Sequence, residues 1–154
     1  MTVPACLARL APSDSQTDLL RACLWSDEPG RQAWERWQRT VGDVRAAIER
    51  DRDGVKSLLP LLHEGLRRHG GATPPEPLAA IRTAALAETI RWQRYEAICR
   101  RAFGALREAG VPFLVLKGAA LSLAAYAGPE LRHSHDIDVL VRQEDRGRAA
   151  AVLS

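Results

Sequence analysis

Two aspartates one residue apart, Asp136 and Asp138, carry the clearest chemical potential in this chain. They open the run Asp136-Ile-Asp-Val-Leu-Val141, in which side chains of opposite character alternate: Asp136, Asp138 and Leu140 on one face, Ile137, Val139 and Val141 on the other. On a strand, residues two apart project from the same side. The two carboxylates would then lie close enough to share one or two hard cations. Mg2+ suits such a pair, since it takes oxygen ligands and fills its shell with water and substrate phosphates. Upstream, Lys117-Gly118 ends the apolar run Phe113-Leu-Val-Leu116 and precedes a helix-forming stretch, Ala119 to Tyr126. A strand, a glycine and a helix start present backbone N–H groups toward an anion. Together the two halves describe a metal–triphosphate site.

The elements that position these residues follow from pattern and punctuation. Phe113–Leu116 is too short for a helix and lies between breakers, so a buried strand is expected. Gly128-Pro129 closes the helix after it, and Asp136–Val141 is the second strand. Glu144 and Asp145 read as first-turn acids of a following helix.

Everything before Gly110 reads as helical scaffold. Ser13 to Leu24 offers N-cap candidates ahead of Leu19, Leu20 and Cys23, and Ser26–Gly30 is expected to break that helix. Arg31 to about Arg50 repeats Trp34, Trp37, Val41, Val44 and Ile48 at helical steps. Buried packing explains those tryptophans better than a ligand platform does. A leucine-rich helix ends at His69; Pro60 inside it predicts a start near Ser57–Leu59, because proline is tolerated in a first turn. His63, close to the leucine face, reads as structural. The longest helix opens at Pro77 and runs to about Ala109, with Leu78, Ile81, Ala85, Tyr95, Cys99, Ala102 and Leu106 as its stripe.

Composition narrows the classes. At 154 residues, 46% hydrophobic and 27% charged, the chain matches an ordinary soluble globular protein with room for a core. No stretch approaches the ~20 apolar residues of a membrane span, and no secretory leader is visible, so no membrane partner and a cytoplasmic location are expected. Basic residues are almost all arginine, interspersed with acids, which gives no strong DNA-binding signal. Cys6, Cys23 and Cys99 are far apart, which disfavours a disulfide or metal framework; Cys23 and Cys99 read as core residues.

The sequence Leu116-Lys-Gly-Ala-Ala-Leu121, then Tyr126, Arg132 and Asp136-Ile-Asp-Val-Leu-Val141, resembles the nucleotidyltransferase superfamily of DNA polymerase β type. The similarity is greatest to a bacterial group of uncharacterised nucleotidyltransferases and covers about residues 109–142. It implies an α+β fold: a helical N-terminal region over 1–109, then the strand–helix–strand beginning of a nucleotidyltransferase sheet domain over 110–154. It implies transfer of a nucleotidyl group from a nucleoside triphosphate, ATP by default, to a hydroxyl-bearing acceptor. Asp136 and Asp138 would bind two Mg2+ ions. Gly118, Ala119 and the helix start would hold the β- and γ-phosphates, with Lys117 and Arg132 as further phosphate contacts. Many members have Gly-Ser in the turn; here Ala119 follows Gly118, and Ser122 is the expected substitute. The superfamily also uses a third carboxylate on a later strand. The chain is therefore expected to be an N-terminal fragment whose independent activity and folding are in question. The acceptor is open: a small molecule, a peptide, a protein or a tRNA end would each serve.

Two other readings compete. His133-Ser-His135-Asp136 could belong to a zinc hydrolase, but the H-x-H-x-D-H pattern needs Asp and His where this chain has Ile137 and Asp138. A helical interaction module, as in a toxin–antitoxin partner, would leave the Asp-x-Asp as solvated punctuation.

Overall fold

The computed structural model describes residues 11–134 and 136–154. Cys6 and His135 lie outside the described residues. The fold is helix-rich α+β, 74% helical with one small two-stranded antiparallel sheet near the C-terminus. It divides into two compact units, Met1–Thr83 and Ala84–Ser154. Among the described residues, no helix is long and apolar enough to cross a membrane.

The first unit is built from α1 (Asp14–Leu24), α2 (Asp27–Val41), α3 (Val44–Glu49), α4 (Val55–His69) and the opening turns of α5 (Pro75–Glu108). Ser13 and Gln16 form a reciprocal capping box at the start of α1, satisfying two backbone donors that the helix leaves free. The predicted single helix from Arg31 to Arg50 is instead two. The first begins at Asp27, because Pro29 falls in its first turn and interrupts nothing. It ends at Gly42, and Asp43 then caps α3 by accepting the Ala46 N–H. α4 likewise starts earlier than expected, at Val55, so Pro60 lies inside the helix. Proline forfeits one backbone hydrogen bond there. Pro60 is buried, which offsets that loss.

Trp34 and Trp37 are core residues, fully buried and stacked with ring centroids 5.3 Å apart. Their indole N–H groups are both used: Trp34 donates to the Ala72 carbonyl at 3.0 Å and Trp37 to the Asp53 carboxylate at 3.1 Å. His69, also buried, places Nε2 3.1 Å from the Ala22 carbonyl, and its Nδ1 accepts the Gly71 N–H at 3.1 Å. Burial pushes the Cys23 thiol up to about 12, so it stays protonated as a small core side chain.

α1 and α4 meet at a glycine. A methyl group on Gly65 would overlap the Ala22 carbonyl oxygen and lie 3.1 Å from the Cys23 Cα, so only backbone could yield. Gly65→Ala is therefore expected to lower stability by about 1–3 kcal/mol, the usual range for overpacking. Thermal denaturation measures it; an unchanged midpoint would contradict this packing.

The second unit holds the rest of α5, β1 (Phe113–Val115), α6 (Lys117–Ala124), β2 (Val139–Val141) and α7 (Arg146–Leu153). The strands pair antiparallel in the register Phe113↔Val141, Leu114↔Leu140, Val115↔Val139. The second strand is shorter than expected: it starts at Val139, so Asp136 and Asp138 precede it instead of opening it, while Ile137 and Val141 keep the inward side of the predicted alternation. Phe113 and Val141 pack against Leu106, Val111 and Ala149; Val115 and Ile137 pack against Trp92, Tyr95, Cys99 and Ala119. Leu114 and Leu140, opposite each other, face outward. On α5 the buried positions Glu88, Trp92, Tyr95, Cys99 and Leu106 recur at steps of three, four and seven, the stripe that carries the sheet.

Candidate functional site

Strand pairing brings the two halves of the motif together. One residue past the ladder, the Leu116 N–H donates to the Asp138 carbonyl at 2.9 Å. Lys117 and Asp138 are thereby neighbours, and the Lys117 ammonium lies 3.2 Å from Asp138 Oδ1. Lys117 itself is held at φ 49°, a left-handed conformation that costs a side-chain-bearing residue about 1–2 kcal/mol. It is the first residue of α6, whose N-terminus has no side-chain cap. The backbone donors of that first turn are thus unclaimed by any capping side chain, the arrangement that favours an anion.

Asp136 is exposed, and its backbone is fixed from α5: the Tyr95 hydroxyl donates to the Asp136 carbonyl at 2.7 Å. Burial, with smaller contributions from Cys99 and Asp136, pushes Tyr95 up to about 12, so the hydroxyl keeps the proton it donates. Asp138 is more enclosed. Its Oδ1 takes Lys117, and its Oδ2 is buried with no hydrogen-bond partner among the described residues. A buried, unmatched carboxylate oxygen is costly unless something positive meets it.

The other expected residues fall into different settings. Gly118 does not have positive φ; its lack of a side chain matters for space. A Cβ there would overlap Ser134 Oγ, with Ser134 Cβ 3.2 Å away. Ala119 is buried in the cluster with Trp92, Tyr95 and Cys99, so only its backbone can reach a ligand. Ser122 is fully buried, and its hydroxyl donates to the Gly118 carbonyl at 2.9 Å. Its proton is committed to the turn. The Arg132 guanidinium stands 5.9 Å from the centre of the Tyr126 ring, and its Nε is buried with no partner among the described residues.

Two residues of α5 that hold this loop, Glu88 and Arg91, were not given that part from sequence, where His133 entered only as a zinc-ligand candidate. Glu88, buried on α5, accepts hydrogen bonds from Arg91, and His133 Nδ1 lies 2.9 Å from its other oxygen. Arg91 also donates to the Ser134 carbonyl. This cluster ties the segment before the aspartates to α5. The available signal was phase: Glu88 falls on the buried stripe of α5, where an acid must find partners.

Burial alone would raise the pKa of Glu88. Hydrogen bonds from Arg91 and His133 outweigh that and leave it below the ordinary 4.5. A carboxylate depressed on folding contributes stability that is complete above its unfolded pKa and lost as pH falls through the folded one. Wild type should thus lose more thermal stability than Glu88→Gln on acidification below 4.5, starting from a higher midpoint near neutral pH. Parallel melting curves across that range would contradict the role assigned to Glu88.

The donor set fits a hard divalent cation. Asp138 adjoins an anion-favouring helix start through Leu116 and Lys117, Asp136 precedes Asp138 by two residues, and one Asp138 carboxylate oxygen is buried and unmatched. Among the described residues no cluster of three or more His, Cys, Asp or Glu side chains is placed to hold a metal. Water and phosphate oxygens would therefore fill the remaining positions. His133 faces Glu88.

A family model described as an uncharacterised nucleotidyltransferase matches residues 55–154. No curated protein and no solved structure matches the chain.

Proposed function

The chain belongs to that family of uncharacterised nucleotidyltransferases, and from this premise we propose that it transfers a nucleotidyl group from a nucleoside triphosphate, ATP by default, to an acceptor hydroxyl. The observation that carries the reading is the junction at Leu116–Asp138, which sets the Asp-x-Asp beside an uncapped helix start.

Asp136 and Asp138 would hold two Mg2+ ions, which neutralise the leaving pyrophosphate and acidify the acceptor hydroxyl when bound. The first turn of α6 directs backbone N–H groups and the positive end of its dipole at the β- and γ-phosphates. Lys117 and Arg132 add positive charge around the triphosphate. The acceptor hydroxyl gives up its proton to solvent, its oxygen attacks the α-phosphorus, the bond from the α-phosphorus to the bridging oxygen breaks, and pyrophosphate leaves with the electron pair. The protein's contribution is positioning and charge, which is where phosphoryl-type transfers gain most of their rate. Tyr95, Glu88 and Arg91 keep the aspartates in register with the turn. The acceptor is a small molecule, a peptide, a protein or a tRNA end.

Titrating Mg2+ with ATP while following thermal stability tests the reading without knowledge of the acceptor. Stabilisation that needs both components is expected. No response to ATP at any Mg2+ concentration would count against it. It would favour the non-catalytic interaction module instead, for which the exposed cross-strand pair Leu114 and Leu140 is the supporting observation.

A further inference from the structure

We propose that Ser134 donates its hydroxyl to a phosphate oxygen of the nucleoside triphosphate at the start of α6, filling from a separate loop the place that Ala119 leaves open. The inference deepens the nucleotidyltransferase reading and rests on it.

The Ser134 side chain is 6% exposed, and its Oγ is buried with no hydrogen-bond partner among the described residues. A hydroxyl has one proton to give and two lone pairs. Leaving all of them unmatched in the interior is unfavourable and, in native proteins, uncommon. The hydroxyl is also aimed at one place: it stands against the Gly118 Cα, in the first turn of the uncapped helix α6. Arg91 holds the Ser134 carbonyl and Glu88 holds Arg91, which fixes the backbone that carries the hydroxyl.

The other hydroxyl in reach is already spent. Ser122 gives its proton to the Gly118 carbonyl, and position 119 points into the core. Among the described residues, Ser134 therefore supplies an uncommitted hydroxyl beside the turn, in addition to the Lys117 ammonium. The unmatched Asp138 oxygen lies four residues further along the same chain segment. Reaching Ser134 requires the Lys117–Gly118 turn to shift, and Lys117, at φ 49°, is the strained link there.

Because the hydroxyl has no partner, removing it should not weaken the fold. That separates a ligand role from a structural one. The melting temperature of Ser134→Ala without ligand is expected to equal or exceed that of wild type. Its affinity for Mg2+ with ATP, and for pyrophosphate, read from ligand-dependent melting shifts, should fall roughly tenfold or more, as for a lost hydrogen bond to a charged group. Adenosine should not distinguish the two proteins. Equal affinities in wild type and Ser134→Ala would overturn this proposal and leave the nucleotidyltransferase reading standing. A Ser134→Ala protein that melts lower or fails to fold would overturn it too, by showing a structural hydroxyl. A wild type that responds to neither ATP nor pyrophosphate would overturn the reading and this proposal with it.

Discussion

Asp138→Asn is expected to lower nucleotidyl transfer roughly a thousandfold while leaving the protein folded, since a metal-binding carboxylate stabilises the transition state by several kcal/mol. Asn keeps the shape of Asp but surrenders the charge that would hold a divalent ion. It also releases Lys117, which lies 3.2 Å from Asp138 Oδ1. That ion pair is mostly solvent-accessible on the lysine side, and such pairs add little to stability. The amide group meets a buried position that leaves Asp138 Oδ2 without a partner, so the melting temperature should change little in either direction. A single-turnover assay with labelled nucleotide, paired with a melting curve, reads both quantities. Transfer within a few-fold of wild type would remove Asp138 from the site. A large fall in melting temperature would recast it as structural.

The second large effect is expected at Gly118. A methyl group there overlaps Ser134 Oγ, and Arg91 keeps that loop from retreating. Either the Ser134 hydroxyl must rotate away or the turn and the loop must separate, and each of these displaces a group of the site. Misplacement on the scale of an ångström costs roughly a hundredfold in reactions that depend on positioning. Gly118→Ala should therefore reduce transfer by about that factor and lower the melting temperature as well. The cause can be isolated. If the overlap is with Ser134, the stability losses of Gly118→Ala and Ser134→Gly are strongly non-additive, the second change relieving the first. Additive losses would place the strain elsewhere.

How much of this was legible beforehand follows from the range of each interaction. The two strands and the helix between them are local patterns, and they were readable, although the second strand begins at Val139 and leaves Asp136 and Asp138 ahead of it. So was the burial of the tryptophan pair, since Trp34 and Trp37 share a helical face. Helix ends were misread where proline and glycine admit two outcomes. Pro29 could break a helix or open one, and Pro60 could start one or be carried inside it; burial of the Pro60 ring decided the second. The loop's supports were not readable, because Glu88 and Arg91 reach His133 and Ser134 across more than forty residues. No spacing rule links such positions. Ser122 shows the opposite limit. Its place one helical turn after Gly118 was visible, yet the same spacing lets its hydroxyl bond back to the Gly118 carbonyl.

The central claim is that Asp136, Asp138 and the α6 turn act together on the α-phosphate of a nucleoside triphosphate. It is tested most directly by supplying ATP labelled at either the α- or the γ-phosphate to wild type, Asp136→Asn and Asp138→Asn, with Mg2+ and cell extract as the acceptor source. The account predicts that the α-label passes to an acceptor while the γ-label appears in pyrophosphate, and that both aspartate variants lose the transfer. Transfer of the γ-label, or equal α-labelling by all three proteins, would contradict it.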